Sequence, residues 1–213
     1  MCCFPKSCVN NGTMVESQKL ANMLSIISNS LLQKQIPFCL IGAMALGVYG
    51  LPRYTSDIDL LAEEKQWPKI APLMGRLGYE CYQKSDFFAQ FDSELGVYGK
   101  VDFMFVSTED GRNILKRRVL VEDEVFGSIP VIQPSDYIIL KLMAIANNPH
   151  RSIKDESDIS SFLDLHKNNF LPEYFDVLDV DRILLFADRF GLRELINKYL
   201  NINNSPSEGP NHL

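Results

Sequence analysis

The chain has 213 residues, with 21 Lys and Arg against 27 Asp and Glu, and a formal net charge of −6. That length supports one well-packed domain, with or without a helical extension, and the acidic balance argues against a broad basic face that clamps nucleic acid, while leaving room for a local basic pocket. No stretch approaches the about 18 unbroken apolar residues of a membrane span, and Lys6, Glu16 and Lys19 interrupt the N-terminus before a signal-peptide core forms, so a cytoplasmic protein is expected.

Residues 1–14 read as a disordered leader. They carry Cys2, Cys3 and Cys8, but no His or further Cys follows at a metal-binding interval, and the odd count of 5 cysteines does not read as a disulfide framework. Cys39 and Cys81 lie in apolar strand-like runs, where a thiol behaves as a small hydrophobe. Residues 15–35 repeat apolar side chains at helical spacing through Leu20, Met23, Leu24, Ile27 and Leu31, until Pro37 stops the pattern. A strand "FCLIG" follows, then "AMALGVYG" as a short helix, a turn forced by Pro52, and the strand "SDIDLLA". "KQWPKIAPLMGRLG" reads as a helix despite two prolines, stopped by Gly78. "YECYQKSDFFAQF" and "GKVDFMFV" read as strands separated by the turn-rich "DSELGVYG". A short helix is expected near 111–118, and "RVLVEDEVFGSIPVI" reads as two strands around a Phe126-Gly127-Ser128 turn. From Pro134 the pattern is helical through "PSDYIILKLMAIANN", "KDESDISSFLDLHK" and "DVDRILLFADRFGLRELINKYL", and 201–213 reads as a flexible tail. The expected architecture is α+β. A mixed β-sheet flanked by helices occupies 15–133, and a helical part over 134–200 buries its apolar faces against it.

Two features do not follow from packing. On a strand, residues i and i+2 share a face about 6.6 Å apart, so Asp57 and Asp59 point the same way while Ile58 and Leu60 point inward. At an effective dielectric near 20, two such charges repel by about 2–3 kcal/mol, unless water screens them, a cation neutralises them or one keeps its proton. For an isolated D-x-D, a solvated strand end is the better explanation. Asp102 is harder to explain that way, because it stands mid-strand among apolar neighbours where a lone carboxylate has no structural purpose. If the two strands are neighbours, three carboxylates converge into an oxygen-donor site suited to Mg²⁺. Upstream, Gly42 closes a strand and opens a helix, leaving backbone N–H groups outward and suited to an anionic phosphate chain.

The run Gly42-Ala43, Asp57-Ile58-Asp59 and then Asp102 in an apolar strand resembles the nucleotidyltransferase superfamily that includes DNA polymerase β. The fuller "GAMALGVYGLPRYTSDIDL" is similar to small bacterial and archaeal members related to the toxins of abortive-infection and toxin–antitoxin systems. Arg53 and Thr55 match the middle of that pattern, while Lys141, Arg151, Lys154, Asp155 and Asp158 match its later part. The resemblance spans about residues 38 to 160. It departs at Ala43, where many catalytic members carry Ser or a second Gly, so a hydroxyl contact to the terminal phosphates is absent and backbone N–H groups must serve.

The resemblance implies a nucleotidyltransferase fold and the transfer of an NMP from an NTP to a hydroxyl acceptor. Asp57, Asp59 and Asp102 would be both metal ligands and catalytic residues around two Mg²⁺ ions, about 3.5–4 Å apart, for which Mn²⁺ can substitute. Asp102 would help take the hydroxyl proton. Gly42, Ala43, Arg53, Thr55, Ser56, Lys141 and Lys154 would line the nucleotide. The acceptor implied is tRNA, a protein or a small molecule, and the toxin-like members imply an antitoxin-type protein partner. Four of these residues also have a structural alternative. Lys141 can snorkel from an apolar helix, Lys154 can pair with Asp158 one turn on, and Thr55 and Ser56 can simply form the turn. Phe87, Phe88 and Phe91 can stack a base or fill the core. The segment "RNILKRR" (112–118) can meet an RNA end or form a solvated helix face. Two rival functions remain at this stage: a nucleotide-sugar glycosyltransferase, which leaves Gly42 and Asp102 unexplained, and a non-catalytic protein that keeps the fold as a binding or regulatory surface.

Overall fold

The computed structural model describes residues 11–93, 96, 98–123 and 127–200. The expected leader and its three cysteines lie outside the described residues up to residue 10, as does the 201–213 tail. The chain divides into two compact units, Met1–Gln133 and Pro134–Leu213.

In the first unit, among the described residues, seven strands form one mixed sheet in the order β3-β4-β5-β2-β1-β7-β6. These are β1 (Phe38–Leu40), β2 (Asp57–Glu63), β3 (Tyr79–Lys84), β4 (Phe88–Ser93), β5 (Lys100–Val106), β6 (Val119–Asp123) and β7 (Gly127–Val131). β2 and β5 run parallel at the centre, β1 is antiparallel to β2, and β4 is antiparallel to β5. One face of the central pair is entirely core, through Ile58, Leu60, Ala62, Val101 and Phe103. Leu61, which shares the opposite face with Asp57 and Asp59, is also fully buried. The face that carries the aspartates is therefore covered at Leu61 and half-buried where Asp57, Asp59 and Asp102 stand.

The helices of this unit are α1 (Asn11–Gln33), α2 (Gly42–Val48), α3 (Trp67–Arg76) and α4 (Glu109–Arg117). α1 buries Leu20, Met23, Leu24, Ile27 and Leu31, the stripe its periodicity announces. It begins at Asn11, earlier than the expected 15, and ends at Gln33, just before Gln35 adopts a positive φ of 53°. α3 tolerates its prolines differently. Pro68 sits in the first turn, where no intrahelical N–H bond is needed, and only Pro72 lies inside. α4 starts two residues before the expected 111 because Thr108 caps it, its Oγ1 accepting from the Gly111 N–H at 3.2 Å.

Three expectations need correction here. The segment "YECYQKSDFFAQF" is not one strand but the hairpin β3–β4, because Ser85 turns the chain, its Oγ accepting from the N–H groups of Phe87 and Phe88 at 3.2 Å each. Cys81 is exposed rather than core, since β3 is an edge strand with only Tyr79 buried. Gly127 and Ser128 belong to β7, paired with Asp123 and Glu122, and Phe126, the remaining residue of the expected turn, lies outside the described residues.

The second unit is helical: α5 (Pro134–Asn147), a 3-10 turn (Pro149–Arg151), α6 (Ser152–Lys167), α7 (Val180–Arg189) and α8 (Arg193–Leu200). The last helical run breaks in two at Gly191, whose φ of 68° a helix cannot hold. Asp179 caps α7 by accepting from the Arg182 N–H at 3.0 Å. The fully buried Asp136 of α5 is paired with the guanidinium of Arg182 on α7.

Candidate active site

The parallel register of β2 and β5 sets Asp57 opposite Lys100 and Asp59 opposite Asp102. Because paired residues in register share a face, the three carboxylates rise from the same side of the sheet. This brings together the aspartates that sequence spacing singled out from distant segments. Each is held differently. The Asp57 carboxylate accepts from Ser56 Oγ at 2.9 Å, and its backbone N–H donates to Thr55 Oγ1 at 3.2 Å. Thr55 and Ser56 thus shape the turn that delivers the D-x-D, and Arg53 stands half-buried just before them. Lys100 places its Nζ 5.5 Å from the centre of the Tyr82 ring.

Asp59 lies against the strand-to-helix turn. The Ile41 N–H donates to the Asp59 carbonyl at 3.0 Å, extending the β1–β2 ladder to the start of α2. Gly42 follows with a φ of 67°, and a Cβ built there would come 2.0 Å from Asp59 Oδ2. The Gly42 backbone therefore touches the carboxylate itself, which no side chain would permit. Ala43 is buried in α2, so at that position the chain offers backbone and no side-chain donor.

Asp102 is held from the neighbouring strand β4. Gln90 Nε2, from β4, donates to its Oδ2 at 3.0 Å, while Oδ1 is buried with no hydrogen-bond partner. Burial raises its pKa above the ordinary carboxylate value and the charge of Asp57 adds to this; Gln90 and Lys100 pull the other way. Between the ordinary and the raised value the folded chain holds more protons than the unfolded one, so stability falls as pH rises through that window and stays lower above it. Asp102→Asn keeps the shape and removes the charge. It is expected to raise the melting temperature at pH 7 by a few degrees at most, since the site is only half-buried. In melts across pH, that gain should vanish in acid, where wild-type Asp102 is protonated in both states.

The remaining expected residues lie in the second unit. Lys141 Nζ is 2.7 Å from Asp155 Oδ1 and 2.7 Å from Asp158 Oδ2, and both aspartates are buried. Lys141 is thus the centre of an ion-pair triad that neither free snorkelling nor a lone phosphate contact describes. Asp158 is paired with Lys141 rather than with Lys154, which is exposed on α6. The aromatic trio splits: Phe91 is core, packed 5.9 Å from the Trp67 ring and 5.8 Å from Phe103, while Phe87 is 71% exposed and Phe88 36%. Gln90 was not singled out by the sequence, since an amide in a strand carries no charge signal. Its one clue is alternation, which places it on the polar face between buried Ala89 and Phe91.

Among the described residues, no three His, Cys, Asp or Glu side chains close into a ligand cage. The donors nevertheless fit a hard divalent cation that keeps water and phosphate oxygens of its own. They are all carboxylates, they repel one another, and Asp102 Oδ1 is an orphaned acceptor that a cation would satisfy.

No family model matches the chain, and no curated protein sequence is similar to it. Solved structures are similar. The antibiotic-resistance factor ANT(2'')-Ia, seen in solution, aligns over 87% of this chain and 97% of its own with a TM-score of 0.56 at 10% identity. The fold is that of a nucleotidyltransferase. A crystal structure of ANT(2'')-Ia in complex with adenylyl-2''-tobramycin aligns over 82% of this chain and 98% of that one, with a TM-score of 0.57 at 11% identity. An antigenic nucleotidyltransferase-like protein from Paracoccidioides brasiliensis aligns over 87% and 93%, with a TM-score of 0.54 at 14% identity. At these identities the likeness concerns the nucleotidyltransferase fold, and activity must be argued from the site.

In the second unit, no helix among the described residues is long and apolar enough to cross a membrane, nor is any in the first.

Proposed function

We propose that the chain transfers a nucleoside monophosphate from an NTP to a hydroxyl acceptor, releasing pyrophosphate. The observation that carries this reading is the in-register placing of Asp59 beside Asp102, with Asp57 on the same face and Asp102 Oδ1 left without a partner. Three repelling, half-buried carboxylates on one face of a sheet serve an enzyme that handles triphosphates better than a binding protein.

In this reading the acceptor oxygen attacks the α-phosphorus, the bond to the β-phosphate breaks, and the hydroxyl proton passes to Asp102, whose pKa burial raises above the ordinary carboxylate value. Asp57, Asp59 and Asp102 would hold Mg²⁺, which when bound neutralises phosphate charge and acidifies a coordinated hydroxyl. Gly42 lets the chain bring backbone close to Asp59, so that the triphosphate and the carboxylates meet without an intervening side chain. Ala43, Arg53, Thr55 and Ser56 would complete the nucleotide side. The motif resemblance also assigns Lys141 and Lys154 to the departing phosphates. A toxin role with an antitoxin partner rests on the motif resemblance alone.

The test is label transfer. The full chain is incubated with each α-labelled NTP, Mg²⁺ and either total tRNA, candidate proteins or hydroxylated small molecules, beside Asp59→Ala. The expected result is transfer that needs Mg²⁺ and falls at least about 100-fold in the variant. Equal transfer by Asp59→Ala would sink the assignment. No thermal stabilisation of the wild type by any NTP with Mg²⁺, together with no transfer, would favour the regulatory reading instead.

A further inference from the structure

We propose that Gln90 is a positioning residue that fixes the Asp102 carboxylate for a divalent cation; the inference rests on the metal-site reading above. β4 and β5 pair antiparallel with Gln90 opposite Asp102, so both side chains stand on the carboxylate face. Gln90 Nε2 donates to Oδ2 at 3.0 Å and leaves Oδ1 buried without a hydrogen-bond partner. The bond meets only one of the two oxygens, and the other stays a buried acceptor whose unmet cost a cation would remove. Fixing one oxygen does something else: it stops rotation about the broad terminal torsion of the aspartate and gives the second oxygen one direction. The strand that carries Gln90 is well anchored to do this, since its neighbours Ala89 and Phe91 are buried in the core on the opposite face. The arrangement is that of an outer partner orienting a metal-binding carboxylate, whose loss typically weakens metal affinity by about 10–100-fold.

The test uses Mn²⁺ alone, titrated into the full chain and followed by the electron paramagnetic resonance signal of the free ion. Gln90→Leu, which keeps bulk and removes the donor, is expected to bind Mn²⁺ at least about 10-fold more weakly than wild type. Phe91→Leu, which thins the core on the other face of the same strand, is expected to lower the melting temperature with Mn²⁺ affinity unchanged. Wild-type affinity in Gln90→Leu overturns the assignment while leaving the metal site standing. An equal loss of affinity in Phe91→Leu overturns it too, since the effect would then be general to the strand. If the wild type takes up no Mn²⁺, the metal-site reading falls and the role of Gln90 falls with it.

Discussion

Gly42→Ala is expected to reduce nucleotidyl transfer at least about 100-fold and to lower stability by about 1–2 kcal/mol, the first through the carboxylate and the second through the backbone. The added methyl would stand 2.0 Å from Asp59 Oδ2 and 2.6 Å from its Cγ, so the carboxylate must leave its place. The φ of 67° is strained for any residue with a Cβ. These two effects separate in experiment. Melting of Gly42→Ala reports the backbone cost, and the Mg²⁺ dependence of label transfer reports the displaced aspartate. A variant that transfers label like wild type would mean that Asp59 works from a different position than the one it holds against Gly42.

Lys141→Met is expected to cost about 3–5 kcal/mol, read as a fall in melting temperature of about 10 °C or more. The reason is what remains rather than what is lost. Asp155 is 1% exposed and Asp158 7%, so removing the ammonium takes away the positive charge that lies 2.7 Å from each of two buried carboxylates. The triple variant Lys141→Met, Asp155→Asn, Asp158→Asn should recover most of that loss, because a neutral polar cluster has no charge to desolvate. A single variant that melts within about 2 °C of wild type would contradict the triad as a source of stability. If Lys141 also serves the phosphates, the triple variant will fold well and still transfer poorly. Restored transfer would confine this lysine to structure.

Much of the fold could be read locally. Helical spacing in α1, the alternation of β2 and β5, the proline-tolerant α3 and the helical run after Pro134 are each written in a few adjacent residues, and short-range sterics decide them. The errors were local as well. Ser85 turns a stretch whose aromatic and polar alternation continues undisturbed through the hairpin, and Gly191 divides a helical run whose apolar period continues on either side. The three aspartates and Gly42 were visible as chemistry out of place. Gln90 and the partners of Lys141 were not, because an amide on a strand and a carboxylate on a helix face look the same whether or not another segment meets them.

The sequence by itself determined which side chains share a face and which backbone positions must turn, since periods of 2 and 3.6 residues and the φ range open to glycine are properties of neighbouring atoms. Only the tertiary structure decided that β5 lies beside β2 in register, setting Asp102 at Asp59, that Gly42 rests on the Asp59 carboxylate, and that Lys141 is shared by Asp155 and Asp158. Strand order and helix partnership are chosen by the burial of whole faces across the unit. That burial is a sum over residues far apart in the chain, and no local window contains it.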